Sequence, residues 1–431
     1  MNHHALSLPA RLGSLLLAAA LLLTGCAKPQ EETSKASSIV WEEITIDKKP
    51  ALPVKEPWTK ELVDKYSALS AATFEGDNSR LAGFIRKLHA GEEVTVGFIG
   101  GSITQGSPGP SSQKALYPRV FCDWLEYQFP EAKVNMINIG VGATRSLYGV
   151  HRIEGQLLYT NPDLVILEYS ANDDWQDESF DESFESLCRK VLNWPSKPAV
   201  MTLSMCWQNL MSAQNWHIRS NQHYGIPLVS YLNAVSEGLR TKEITWNMLC
   251  DDDVHPNVGG HWFVAQLLIK RLEAVMDHIN DYQPPDYTLP APRTANRFEN
   301  AGMLYANAVG NEPALEPVSL GSFKKTPFMS FFAFKNGWSC SRTDGEPLVL
   351  EVTGGLIAVT FLAFDAPFDI VVDKGTAQEK TFHVTKAVSA EAVNYLYVVE
   401  EEAIAKHTIE IQHGAELGKV YINGIMIGKR A

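Results

Sequence analysis

At 431 residues, with 45% apolar and 20% charged side chains, the chain exceeds the usual single domain and is too apolar to be wholly disordered or fibrous. Its formal charge of -13 sets it against phosphate backbones, so no nucleic-acid partner is expected. A neutral or esterified substrate suits that balance better.

The N-terminus carries Arg11, an apolar stretch from Leu15 to Leu23, and then Leu23-Thr24-Gly25-Cys26. That order is the anatomy of a secretion signal, and the apolar run is too short to span a bilayer comfortably. Small residues immediately before a cysteine resemble the bacterial lipobox. Residues 1–26 are therefore expected to be a lipoprotein signal, with Cys26 lipidated and the protein extracytoplasmic and anchored to the membrane; the competing reading is an ordinary cleaved signal. Cys122, Cys188, Cys206, Cys250 and Cys340 remain, an odd number in mostly apolar contexts without a CxxC pair. Buried free thiols are expected, with one disulfide open as an alternative.

Residues 27–57 are rich in Lys, Glu, Ser and Pro without periodicity, which predicts a poorly ordered tether. From 58 to 282, short apolar runs alternate with longer amphipathic stretches. Strands are predicted at 94–99, 134–139, 164–168, 199–205 and 226–230, and helices at 117–129, 184–192 and 262–279. Strands this apolar belong to a buried parallel sheet, so the fold class is a three-layer α/β/α sandwich. A Pro-rich linker follows at 283–295. From 296 to 431 the runs 348–352, 357–361, 370–372, 395–399, 407–411 and 420–425 are separated by turn signals such as Gly354-Gly355 and Asp373-Lys374-Gly375. That pattern predicts a C-terminal all-β sandwich.

Chemistry concentrates at predicted strand ends. The first strand runs into Gly100-Gly101-Ser102, where open parallel sheets place their ligands; a phosphate loop or a plain turn remains open for this motif alone. The second runs into Gly140 and Gly142, a turn able to aim a backbone N–H into the same crevice or simply to close a βα unit. The third is followed by Ser170-Ala171-Asn172, whose amide can serve as an anion-stabilising donor. Before the last helix comes Asp251-Asp252-Asp253-Val254-His255, where a carboxylate three residues ahead of a histidine can hold one ring nitrogen while the other faces a serine. A metal site using this acidic cluster and His261 competes, but further spaced His or Cys ligands are missing.

Together these residues resemble the SGNH (GDSL-like) hydrolase family, over the stretch from Val94 to His255. The resemblance implies Ser102 as nucleophile, with Gly101 where many members carry Asp. It implies Gly142 and Asn172 as oxyanion-hole donors beside the Ser102 N–H, with Ser170 in place of the usual glycine. It also implies Asp252 and His255 as the rest of a catalytic triad, with Asp251 and Asp253 as the fallbacks. Neither metal nor cofactor is called for. The expected reaction is acyl-ester hydrolysis through an acyl-enzyme. The expected substrate, by analogy with surface-tethered esterases carrying a β-sandwich, is an acetylated carbohydrate. A polysaccharide O-acetyltransferase, a lipase or lysophospholipase, and a non-catalytic surface glycan-binding protein are the alternatives. Trp175, Trp207, Trp216 and His217 are candidates for a cleft wall. His151, His223 and His261 are expected to be structural, and Asp173-Asp174 to be a solvated helix start.

Overall fold

The computed structural model describes residues 40–430 except 108, 111, 328–335, 363–365, 386–392 and 402. The expected signal segment, Cys26 and the tether up to residue 39 lie outside the described residues. Among the described residues, no helix is long and apolar enough to cross a membrane.

The first part alternates helix and strand: α1 (Lys60–Ala71), α2 (Ser79–His89), β1 (Glu93–Gly100), α3 (Ser102–Gln105), α4 (Tyr117–Gln128), β2 (Lys133–Asn138), α5 (Ser146–Gln156), β3 (Leu164–Glu168), α6 (Ser179–Asn193), β4 (Ala199–Ser204), α7 (Gln214–Tyr224), β5 (Leu228–Ser230), α8 (Tyr231–Thr241), α9 (Trp246–Leu249) and α10 (Val258–Asp277). The five strands pair in parallel in the order β2-β1-β3-β4-β5. Chain direction across the sheet reverses between β1 and β3, so the crevice beyond their carboxyl ends is where this architecture binds ligands.

Strand side chains divide by the period of two. Val94, Val96 and Phe98 of β1, with Leu164 and Ile166 of β3, enter one apolar core with α1, α2, α4, α8 and α10. Ile99, Val165 and Leu167 enter a second core with α5 and α6. Gly97 faces that side too, where a Cβ would stand 2.6 Å from Leu157 Cδ1. The sheet is thus covered on both faces, as its apolar central strands β1, β3 and β4 require.

The second part comprises β6 (Gly302–Tyr305), β7 (Lys324–Pro327), β8 (Asn336–Cys340), β9 (Leu348–Phe361), β10 (Phe368–Val372), β11 (Lys380–Val384), β12 (Asn394–Val399), β13 (Ala405–His413) and β14 (Val420–Lys429). Pairing is antiparallel and continuous from β11 to β7 through β9. The first half of β9 pairs with β13, the second half with β12 and β14. Leu350 and Val352 from one half meet Ile357 and Val359 from the other in a common core, so the sheet folds over on itself as a sandwich.

The outer face of that sandwich is covered where β6, β14 and the second half of β9 form it. Leu356, Ala358, Met303 and Met426 pack into the core of α5 and α6, so the two parts share apolar burial. Buried Lys190 of α6 donates to the Val150 and Ala301 carbonyls, and Arg430 pairs with Glu154 of α5. Burial lowers the Lys190 ammonium to about 8.

Several expectations need correction. Gly354-Gly355, predicted to separate two strands, lies inside the single strand β9. The glycines are there for close packing: a Cβ on Gly354 would stand 2.5 Å from Ile427 Cγ2, and one on Gly355 would stand 2.7 Å from the Glu401 carbonyl oxygen. The tether predicted to run to residue 57 is bound to the α/β part well before that. Ile44 exchanges backbone hydrogen bonds with the Asn280 side chain at 3.0 and 2.8 Å, Gln128 does the same with Lys49 and Asp47, and Trp41 lies under the Arg86 guanidinium. The linker is pinned as well: Arg189 and His223 donate to the Pro290 and Ala291 carbonyls. Cys122, Cys188, Cys206, Cys250 and Cys340 are buried free thiols.

Candidate active site

β1 ends at Gly100, and Gly101 turns the backbone so that Ser102 opens the single turn of α3. As the first residue of that turn, Ser102 has an N–H with no intrahelical acceptor. Gly101 supplies space as much as flexibility. A Cβ there would stand 2.1 Å from Asn172 Oδ1 and 3.0 Å from its Nδ2, so the missing side chain gives Asn172 its approach to the Ser102 turn.

Asn172 is carried on the loop after β3, where its N–H donates to the Tyr169 carbonyl at 2.9 Å. Ser170 makes the loop more secure than a glycine would. Its buried hydroxyl donates to the Met205 carbonyl at 3.0 Å, and its own carbonyl accepts from the Ala213 N–H at 2.7 Å, tying the β3 loop to the β4 loop.

The Asp252–His255 loop lies between α9 and α10 and is closed by a backbone bridge between Cys250 and Pro256. Asp252 Oδ1 accepts from the N–H groups of Val254 at 2.8 Å and His255 at 2.6 Å, and Oδ2 sits 2.7 Å from His255 Nδ1. The other ring nitrogen, Nε2, is 2.9 Å from Ser102 Oγ. Because the carboxylate holds Nδ1–H, the neutral ring presents Nε2 as the acceptor for the serine proton. Burial works to raise the Asp252 pKa, but the His255 and Val254 N–H groups and the His255 ring outweigh it and hold the carboxyl below its ordinary value. The structure thus brings Ser102, His255 and Asp252 into one hydrogen-bonded chain. Asp251 instead accepts from Asn257 at 3.2 Å, and Asp253 offers its backbone carbonyl to the Gln208 N–H at 2.8 Å.

Gly142 sits against the serine: a Cβ there would be 3.4 Å from Ser102 Cβ. Its N–H, expected to face an oxyanion, donates to Gln105 Oε1 at 2.5 Å. An oxyanion gains that N–H only when the Gln105 side chain turns aside. Gln105 borders a cavity of about 140 Å³ shared with Leu116, Met136 and Gly140.

The remaining candidates separate. Trp175 and Trp207 are 46% and 37% exposed. Trp207 Nε1 donates to the Ala171 carbonyl at 2.7 Å, which places its ring beside the Asn172 loop, while the Arg219 guanidinium covers Trp216. His217 is no wall residue. It is buried, stacked on Phe184 with ring centroids 3.5 Å apart, and paired with Asp173 at 2.8 Å. Asp173 is accordingly buried rather than solvated, and its other oxygen accepts from the Ser146 N–H at 2.8 Å at the start of α5. His261, weighed as a metal ligand, is buried with Nδ1 accepting from the Tyr117 N–H at 3.3 Å, and burial depresses it to about 3. Sequence reasoning passed over Gln105 and Glu168; the visible signal for the latter was one carboxylate inside an otherwise apolar strand.

Residues 98–263 match the GDSL-like lipase/acylhydrolase family. No curated protein matches the chain in sequence. Among solved structures, the chain is similar to a two-domain esterase (CEX) active on acetylated mannans, co-crystallized with mannopentaose. The likeness is 28% identity at a TM-score of 0.71, covering 85% of this chain and 98% of that one. A second structure of that esterase gives the same identity, TM-score and coverage of this chain, with 99% of that chain covered. With the family match over residues 98–263 and the likeness to a two-domain esterase across both parts, the protein is a serine ester hydrolase that joins an α/β part to an antiparallel β part.

Proposed function

We propose that the enzyme removes acetyl groups from a carbohydrate through an acyl-enzyme on Ser102, outside the cytoplasm, at a membrane to which lipidated Cys26 holds it. The observation that carries the substrate class is the likeness to the acetylated-mannan esterase across both parts of the chain. The location rests on the order Arg11, apolar stretch, Leu23-Thr24-Gly25-Cys26.

His255 takes the Ser102 proton as Oγ attacks the ester carbonyl, and Asp252 steadies the imidazolium that forms. The tetrahedral oxyanion draws on the Ser102 N–H and the Asn172 amide, and on the Gly142 N–H once Gln105 has moved. His255 then gives that proton to the sugar oxygen as its bond to the acyl carbon breaks, which leaves the acetyl group on Ser102. Water, activated by the same imidazole, releases acetate.

A cavity of about 340 Å³ at the junction of the two parts supports a sugar substrate. Its lining includes Phe180, Tyr395 and Tyr397 together with Arg145, Asp177 and Glu400. Within it the Arg145 guanidinium lies over the Phe180 ring and Tyr395 meets Tyr397 edge-to-face, and the polar groups among these aromatics suit the hydroxyls of a pyranose. Arg145 is three residues beyond Gly142, so their Cα atoms are no more than about 11 Å apart.

Acetate release from acetylated manno-oligosaccharides, compared with hydrolysis of p-nitrophenyl acetate, butyrate and octanoate, tests the reading. Acetate release with acetyl preferred over octanoyl supports it; octanoyl preference with no release from the glycan refutes it. Asn172→Ala is expected to lower kcat by about 10²–10³-fold with little change in KM, because the amide acts on charge present only in the transition state. Steady-state kinetics on p-nitrophenyl acetate read this directly.

A further inference from the structure

The fully buried carboxyl of Glu168, at the end of β3, lies directly beneath the Gly100–Ser102 turn. Oε2 accepts from Thr104 Oγ1 at 2.9 Å, and Thr104 is in turn 2.9 Å from the Tyr117 hydroxyl. The Gly101 backbone N–H also bonds the carboxyl. Contact with the turn is close: a Cβ on Gly100 would stand 2.8 Å from Oε2 and 2.3 Å from Thr104 Oγ1. The other oxygen, Oε1, is buried without a hydrogen-bond partner.

We propose that Glu168 is a positioning residue that sets the nucleophile turn from below, and that it does so productively as the neutral acid. This rests on Ser102 being the nucleophile. The surroundings favour neutrality. Burial pushes the carboxyl up to about 7 against the opposing pull of the Thr104 and Gly101 hydrogen bonds, and Asp173 on the following loop, of like sign, adds to the rise. From α4, Tyr117 is held far above its ordinary value by burial and stays uncharged. His261 of α10, stacked on Tyr117, is neutral for the same reason. Arg152 of α5 spends its charge on the Tyr169 hydroxyl and the Ile139 carbonyl.

When Glu168 ionises, a negative charge appears behind the Gly101 and Ser102 N–H groups. It opposes the second negative charge that develops on the oxyanion, so the alkaline side of the pH profile is depressed. Glu168→Gln keeps the shape and the acceptor for Thr104 but stays neutral at every pH.

The test is kcat/KM from pH 5.5 to 9 for wild type, Glu168→Gln, Glu168→Ala and Ser102→Ala, with circular dichroism of each. The ratio of kcat/KM at pH 8.5 to that at pH 6 is expected to be about fivefold higher in Glu168→Gln than in wild type, the size of a like-charge term at short range. Glu168→Ala is expected to lose about tenfold in kcat with KM within about twofold, since it removes the acceptor that orients the turn. A Glu168→Gln profile that superimposes on wild type overturns the proposal even if the alanine variant fails to fold. Activity surviving in Ser102→Ala overturns the underlying mechanism instead, so the two failures are distinguishable.

Discussion

Ser102→Ala is expected to lower ester turnover by about 10⁶-fold while leaving the fold intact. The hydroxyl is the only atom replaced, and its bond to His255 at 2.9 Å contributes about 1 kcal/mol to stability. In the proposed mechanism the chemistry depends on it entirely, because without Oγ no acyl-enzyme forms and the Asp252–His255 pair has nothing to activate but water. Initial rates on p-nitrophenyl acetate alongside a thermal melt read both effects. A large fall in Tm together with the loss of rate would point instead to a structural role.

Asp252→Asn is expected to cost about 10⁴-fold in kcat. The asparagine side chain preserves the shape and an acceptor for the Val254 and His255 N–H groups, but its NH₂ now faces His255 Nδ1. The ring is driven to the other tautomer, with Nε2 protonated and unable to accept from Ser102. Asp251→Asn and Asp253→Asn serve as internal controls, expected to cost less than about tenfold because neither carboxylate reaches the imidazole. The lowered Asp252 pKa fixes the sign of its effect on stability. The contribution is present above the ordinary carboxylate value and is lost as pH falls through the folded value. Equal losses in all three variants would contradict the assignment.

The site was largely legible because the fold concentrates it at strand ends. Ser102 and Asn172 each follow an apolar run that reads as a buried strand, Gly142 follows the half-buried edge strand β2, and Asp252 and His255 sit close enough in sequence to pair within one loop. What escaped were features set by contacts between distant segments. Gly354-Gly355 reads locally as a turn, and only the approach of Ile427 and Glu401 gives it another purpose. Helix α6 begins at Ser179, well before the predicted residue 184, because Asp181, Glu182 and Glu185 look like a solvated stretch. They are instead engaged by Arg293 and the Thr294 N–H of the linker and by Arg297 just past it. Helix α10 likewise starts at Val258 rather than 262. Gly259 and Gly260 disguise its first turn, and Gly260 is required there, since a Cβ would stand 2.0 Å from the Leu249 carbonyl oxygen. The Gln105 bond to Gly142 joins two strand ends that are neighbours only in space.

The most direct measurement is acid quenching of the enzyme during p-nitrophenyl acetate turnover, followed by peptide mass spectrometry. The account predicts one acetyl group on Ser102, absent in Ser102→Ala. Acetate release at full rate with Ser102 never acetylated, or an acetyl group found on another residue of the active enzyme, would contradict it.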